Sequence, residues 1–180
     1  MKTGVLVVCP ALIGALMPAL AAAGVIVDWN NQLLQAVKET STSPPNASRA
    51  MAMTSAAVFD AVNSIEGNFK PYHFTGFAAA GASAEAAAAQ AAHDVMLHLF
   101  PARADALGSA LTDSLAVLPE SGKAAGVALG AAAARSIIEL RSADGANTTV
   151  PYLPGSDPGQ WRPTPTDHAP ALLPNWPTVT

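Results

Sequence analysis

The segment HDVMLH, residues 93–98, contains the side chains that most suggest metal chemistry. His93 and His98 lie about 140° apart around a helix axis, so they cannot both face one ion. Helical zinc pairs instead use histidines four residues apart. Asp94 and His98 have that spacing, and a surface ion pair between them is the simpler explanation. We therefore predict no metal site in this chain.

Arg49 and Asp60 are charged residues in an otherwise apolar segment. On one helix they are about three turns apart, too far to bond each other. Each is expected to have its own partner elsewhere. The favoured interpretation is a buried structural ion pair, and the alternative is a role in positioning a functional site.

Common catalytic signatures are missing from the sequence. It has no G-x-S-x-G nucleophile elbow and no glycine-rich phosphate loop after a strand. Its one cysteine, Cys9, lies in the N-terminal segment, and the sequons at Asn46 and Asn147 indicate only possible glycosylation. The residues themselves predict no catalytic, cofactor-binding or metal-binding position.

The composition is that of a folded domain with a weak net charge. The chain is 51% hydrophobic and 12% charged, with a formal charge of -4, which excludes a disordered protein. Its nine Lys and Arg residues are scattered singly. We therefore expect neither nucleic acid nor an anionic membrane surface as a partner.

Residues 1–23 have the organisation of a secretory signal peptide. Lys2 precedes an apolar stretch, and ALAAAG offers cleavage after Ala21 or Ala23. The stretch is interrupted by prolines and is short for a bilayer span of about 20 residues. We predict export to the periplasm or the exterior, with an uncleaved membrane anchor as the alternative. Cleavage removes the cysteine, so the exported protein is held by its core alone.

Residues 24–145 are predicted to form an all-α helical bundle, since caps and breakers delimit five helices and no convincing strand occurs. The predicted helices are Trp29–Thr40, capped by Asp28; Pro44–Ile65, capped by Ser43 and ended by Gly67; Ala84–Phe100, capped by Ser83; Ala102–Val117; and Ser121–Arg141. Residues 146–180 are predicted to be a proline-rich, irregular connecting segment.

Apolar spacing predicts which faces of the first two helices are buried. The expected buried residues are Trp29, Leu33, Leu34 and Val37 in the first helix, and Ala47, Ala50, Met51, Thr54, Val58, Ala61, Val62 and Ile65 in the second. In the last helix, Gly122, Gly126 and Gly130 recur every four residues. Such spacing makes a smooth groove in which another helix backbone can approach closely.

Five blocks of the chain resemble the N-terminal half of secreted vanadium-dependent haloperoxidase-like proteins of the type 2 phosphatidic acid phosphatase superfamily. The resemblance runs from about Val25 to Thr180 and is carried by VIVDWNNQLLQAV, PPNASRAMAMTSAAVFDAVNSIEGNFKPY, ASAEAAAAQAAHDVMLHLFP, GKAAGVALGAAAARSIIELRSADG and PGSDPGQWRPTPTDHAPALLPNWPTVT. It implies that residues 24–145 are half of a larger all-helical domain and that residues 146–180 lead to a missing catalytic half.

The resemblance carries no catalytic residue onto this chain. Family members hold vanadate or a substrate phosphate with K-x6-R-P, P-S-G-H and S-R-x5-H motifs. For K-x6-R-P, Arg162 is followed by proline, but Gly155 stands where the lysine belongs. For S-R-x5-H, Ser48-Arg49 is present, but Ser55 stands where the histidine belongs. PGSD does not match P-S-G-H. We expect this chain to bind no cofactor and to be inactive alone, with vanadate implied only for the intact protein.

Two functions remain open at this point. The chain is either the non-catalytic part of an enzyme that oxidises halide with peroxide or hydrolyses phosphate esters, or a self-contained exported scaffold or binding module. The first predicts a catalytic half as partner, the second a partner or a second copy on an apolar helical face. Trp161 and Arg162 are expected to contact the missing half or to line the edge of its pocket. The favoured alternative for Trp161 is that it anchors a loop on the bundle.

Overall fold

The structure, a computed structural model, describes residues 17–180, with side chains from Gly24 onward. The predicted signal sequence therefore falls largely outside the described residues. The five helices are α1 (Met17–Glu39), α2 (Pro44–Glu66), α3 (Ala84–Leu99), α4 (Ala104–Ala116) and α5 (Lys123–Leu140), with single 3-10 turns at Pro101–Arg103 and Trp176–Thr178. No strand occurs within residues 17–180, so the all-α prediction is confirmed. None of the described helices has the length and hydropathy needed to cross a membrane.

Helix α3 is the centre of the bundle and contacts each of the other four helices. Its buried residues are Ala86, Ala87, Ala88, Ala89, Ala91, Ala92, Val95 and Met96. Ser83 caps the helix as predicted, since its Oγ accepts a hydrogen bond from the Ala86 N–H at 3.1 Å. Because alanine side chains are short, neighbouring helices can approach α3 closely on every side.

Helix α5 packs against α3 through Gly126 and Gly130. A Cβ atom at Gly126 would overlap the backbone oxygen of Ser83, and one at Gly130 would overlap that of Ala87. The predicted close approach is thus confirmed, and this chain's own α3 fills the groove. Gly122 has φ 74° and precedes α5 as its N-cap, so its predicted place inside the helix is wrong.

The predicted buried face of α1 is confirmed at Trp29 and Leu33 and wrong at Leu34, and the predicted cap is also wrong. Asp28 lies inside α1 and is not its N-cap. Among the α1 side chains from Gly24 onward, the buried ones are Val25, Trp29, Leu33 and Ala36. Leu34 is 54% exposed, because it lies about 100° around the helix from Leu33.

Helix α2 begins and ends where the sequence predicts. Ser43 is its N-cap, although the hydroxyl makes no capping bond, and Gly67 ends it with φ 67°. The predicted buried stripe is confirmed at Ala47, Ala50, Thr54 and Ala61. It is wrong at Met51, which is exposed. Met53, which was not predicted to be buried, is buried.

Residues 146–180 are mostly irregular, and their last part returns to the bundle. Asn175 is 2% exposed and donates from Nδ2 to the Gly145 carbonyl oxygen at 3.0 Å. The N–H of Thr180 donates to the Asp144 carbonyl oxygen at 3.1 Å. Trp161 is 40% exposed and packs edge-to-face on Tyr152 of the same segment, with ring centroids 5.5 Å apart. Asn175 therefore anchors residues 146–180 on the bundle.

Candidate functional site

Arg49 forms a partly buried ion pair that joins α2 to the turn after α5. Its Nε donates to Oδ2 of Asp144 at 2.6 Å, and its Nη2 donates to the Arg141 carbonyl oxygen at 3.0 Å. The side chains of Arg49 and Asp144 are 18% and 5% exposed. The prediction of a separate partner and a structural ion pair is confirmed for Arg49.

The carboxylate of Asp144 is held in its charged form. Burial raises its pKa, but the hydrogen bonds from Arg49 and from the Ala146 N–H outweigh burial, so the pKa lies below its ordinary value. Arg141 donates to the hydroxyl of Tyr72 and to the Thr180 carbonyl oxygen. The contacts of Arg49, Arg141 and Asp144 therefore connect α2, the loop after α2, the end of α5 and the end of the chain.

Asp60 pairs with no cation among the residues whose side chains the structure describes, so the ion-pair interpretation is wrong for it. The residue is fully buried, and its two carboxylate oxygens accept hydrogen bonds from the backbone N–H groups of Tyr72, His73 and Phe74 at 2.7–2.8 Å. Asn63 holds the same loop, since its side chain exchanges two hydrogen bonds with the backbone of Phe69. The role of Asp60 in the structure is to fix the aromatic loop that follows α2.

His93 and His98 are on different faces of α3, as their spacing predicts. Nδ1 of His93 lies 2.7 Å from Oδ1 of Asp94, and Gln90 donates to the same oxygen at 2.8 Å. The predicted pair between Asp94 and His98 is wrong, because Asp94 turns toward His93 and His98 is exposed. Among the described residues, no three His, Cys, Asp or Glu side chains converge as metal ligands.

Two arginines of the bundle, Arg49 and Arg103, already have partners within the chain. The Nε and Nη2 groups of Arg49, beside Ser48, are both used inside the protein. Arg103 pairs with Glu39, which joins the turn before α4 to α1. These guanidinium groups already have anionic or carbonyl partners, so binding an oxyanion would require breaking packed contacts.

An apolar groove lies on the outer surface between α1 and α2. We name it the α1–α2 groove; its volume is about 260 Å³ and it is lined by Ile26, Val58, Phe59, Val62, Asn63, Glu66, Asn68 and Phe69. Phe59 is 39% exposed and Phe69 is 70% exposed. Their rings contact each other with centroids 6.2 Å apart. The groove is therefore an aromatic surface open to solvent.

A smaller pocket adjoins this groove and shares Ile26, Val58 and Phe59 with it. We name it the Trp29 pocket; its volume is about 170 Å³ and its other wall residues are Val25, Trp29, Asn30, Thr54, Ser55 and Ala88. Trp29 and Thr54 are each 3% exposed. Neither Nε1 of Trp29 nor Oγ1 of Thr54 has a hydrogen-bond partner among the described residues.

The described part of the chain is an all-α bundle with an aromatic groove on its surface. No family model, curated protein or solved structure matches it. Sequence reasoning missed Asp144 as the partner of Arg49, and it missed the Trp29 pocket. The segment SADG marks the end of α5, but nothing in it indicates a residue of α2 as partner.

Proposed function

We propose that this chain is the non-catalytic N-terminal helical portion of a vanadium-dependent haloperoxidase-like or acid phosphatase-like enzyme. The observation that carries the proposal is the α1–α2 groove, an apolar surface suited to packing by another helical part of the protein. Burial of apolar surface contributes about 25 cal/mol per Å², so covering Phe59 and Phe69 is favourable.

In the proposed protein, the anion site is built by the other half. The resemblance implies vanadate for haloperoxidase chemistry, or a substrate phosphate for hydrolysis, and both use one anion cradle of cations and N–H groups. The internal bonds of Arg49 support a structural role for this half. Its contribution is to present a rigid packing surface, because Asp60 and the Arg49–Asp144 pair fix the loops at the edges of α2.

The first test is to read the coding frame beyond the codon for Thr180. A continuation that encodes P-S-G-H and S-R-x5-H supports the proposal, and the haloperoxidase and phosphatase assays then belong on the full protein. A stop codon at that point, in a frame confirmed from independent DNA, refutes it.

A second test uses the chain itself and a hydrophobic fluorescent dye. We expect Phe69→Ser to reduce dye binding several-fold, because Phe69 forms one wall of the α1–α2 groove. Phe77→Ser is the matched control, since Phe77 is 97% exposed and is not a wall residue of the groove. Equal loss of dye binding in the two variants would show that the groove is not the interaction surface.

The alternative function is a self-contained exported scaffold or binding module. It is favoured by the return of the C-terminal segment, in which Asn175 is buried against the turn after α5. In that case the groove accepts a different protein or a second copy of the chain. A single cooperative unfolding transition, together with a concentration-dependent dimer that Phe69→Ser abolishes, would favour this alternative.

A further inference from the structure

We propose that residues 149–172 form a processing loop, at which an endopeptidase cuts this protein and leaves the five-helix bundle intact. Water adds across one peptide bond of the loop, so its oxygen becomes part of a new carboxylate and the nitrogen of the broken bond becomes a new amino group. The proposal rests on the fold alone and stands whether or not the proposed function is correct.

The processing loop is exposed along its length. Every residue from 149 to 172 is exposed except Gly155, Pro163 and Ala171, and the segment contains no helix or strand. An endopeptidase takes several residues of extended backbone into its active site, which a helix cannot offer without breaking its hydrogen bonds. Exposed irregular segments are therefore the preferred sites of cutting.

Few hydrogen bonds hold the backbone of the processing loop. The N–H groups of Gln160 and His168 donate to the carbonyl oxygens of Asp157 and Thr164, which belong to the same loop. Among the residues whose side chains the structure describes, no hydrogen bond joins the loop to a helix. A protease can therefore extend the loop without breaking a hydrogen bond of the bundle.

The two ends of the loop are held at the turn after α5. The Thr148 N–H donates to the Gly145 carbonyl oxygen at 3.0 Å, and Asn175 donates to the carbonyl oxygens of Gly145 and Ala146. Both attachments and all five helices lie outside residues 149–172. A cut in the loop therefore leaves the contacts among the helices in place.

The loop after α2, residues 67–82, shows why exposure alone does not define the site. Lys70, Tyr72 and His73 are exposed there as well. However, three backbone N–H groups of that loop donate to the buried carboxylate of Asp60, and Asn63 exchanges two hydrogen bonds with the loop backbone. Extending this loop breaks those bonds, so we expect it to resist a protease that cuts the processing loop.

The sequence of the processing loop selects the class of endopeptidase. Arg162 is its only lysine or arginine, and Pro163 follows it. A trypsin-like enzyme, which cuts after basic residues, does not cut before proline, whose ring fixes the backbone and removes the N–H. Tyr152, Trp161 and Leu172 are exposed, and none of them precedes a proline. We therefore expect the enzyme to recognise an aromatic or aliphatic side chain.

The test opens two bonds that proline now blocks to trypsin, one in each loop. Pro163→Ala makes the bond after Arg162 cleavable, and Pro71→Ala does the same after Lys70. Each variant is digested as the folded full chain, and a short peptide with the same sequence corrects for the intrinsic rate at that bond. We expect the corrected rate to be at least about tenfold higher for Pro163→Ala. Tenfold corresponds to about 1.4 kcal/mol, which two of the five hydrogen bonds that hold the loop after α2 supply.

The wild-type chain tests the site without any substitution. Subtilisin cuts after many residue types, and mass spectrometry locates its first cuts, which we expect within residues 149–172. Circular dichroism of the cut protein should keep the helical signal of the intact chain. The proposal is overturned if the two corrected trypsin rates are equal, if the first subtilisin cuts fall in a helix or in residues 67–82, or if the helical signal is lost with the first cut.

Discussion

The ion pair between Arg49 and Asp144 gives the sharpest prediction about stability. Asp144→Asn keeps the size of the side chain but removes its charge, which leaves the guanidinium of Arg49 partly buried and without a counterion. Removing one partner of a fully buried pair costs about 3–5 kcal/mol, and an exposed pair contributes about 0–1 kcal/mol. Because Arg49 is 18% exposed, we expect an intermediate loss, about 2 kcal/mol of unfolding free energy.

The pH dependence of this loss has a definite sign. The pKa of Asp144 is lowered below its ordinary value of 3.8 in the folded protein. Its stabilisation is therefore fully present above the unfolded-state pKa and is lost as pH falls through the folded-state pKa. The difference between wild type and Asp144→Asn should be constant near neutral pH and should shrink in strong acid.

Urea unfolding followed by far-ultraviolet circular dichroism, repeated from neutral to acidic pH, measures both effects. Glu120→Gln is the matched control, because it removes an equivalent charge from the pair with Lys123, in which Glu120 is 92% exposed, and it should change stability little. A wild-type–variant difference that is negligible, or that stays the same into strong acid, would refute the structural role assigned to Asp144.

Three further predictions follow from other contacts. Gly126→Ala should destabilise the protein because its Cβ meets the α3 backbone, whereas Gly108→Ala, with no atom nearby, should stabilise it by up to about 1 kcal/mol; urea unfolding measures both. Asp60→Asn should speed amide hydrogen exchange in the loop after α2, because the three backbone N–H groups are shared between both carboxylate oxygens and the NH₂ group that replaces one oxygen cannot accept; unchanged exchange would contradict this. Ser83→Ala should cost about 1 kcal/mol, and Ser43→Ala less, because only Ser83 makes a capping bond; equal thermal shifts would contradict this.

Local signals in the sequence predicted most of the helix boundaries. Serine at an N-cap, proline at a first turn and glycine at a C-cap act within a few residues, which is why α2 and α3 begin where expected. The glycine spacing in α5 predicted the close helix approach. The cap at Asp28 was wrong because α1 begins earlier in the chain. The buried face of α1 was predicted correctly at Trp29 and Leu33 but not at Leu34, because apolar spacing alone does not fix the edge of a buried face.

Long-range contacts could not be predicted from the sequence. Arg49 and Asp144 are 95 residues apart, and no local pattern links them. Asp60 was predicted to need a partner, and a buried carboxylate can be satisfied either by a cation or by backbone N–H groups. The path of the loop after α2 decides between these two, and the sequence does not reveal that path. The Trp29 pocket is formed by residues of α1, α2 and α3, so no local pattern in the sequence predicts it. The sequence therefore placed Thr54 only in the buried stripe of α2.

Much of the bundle interior is built from small residues, while several aromatic residues lie on the surface. Six alanines of α3 are at most 3% exposed, and Gly126 and Gly130 bring α5 against the α3 backbone. Three of the five phenylalanines, Phe59, Phe69 and Phe77, are exposed. Phe59 and Phe69 meet in the α1–α2 groove, where burial by a second surface is favourable. Because burying alanine contributes little free energy, the proposed docking surface would supply apolar burial that this part of the interior lacks.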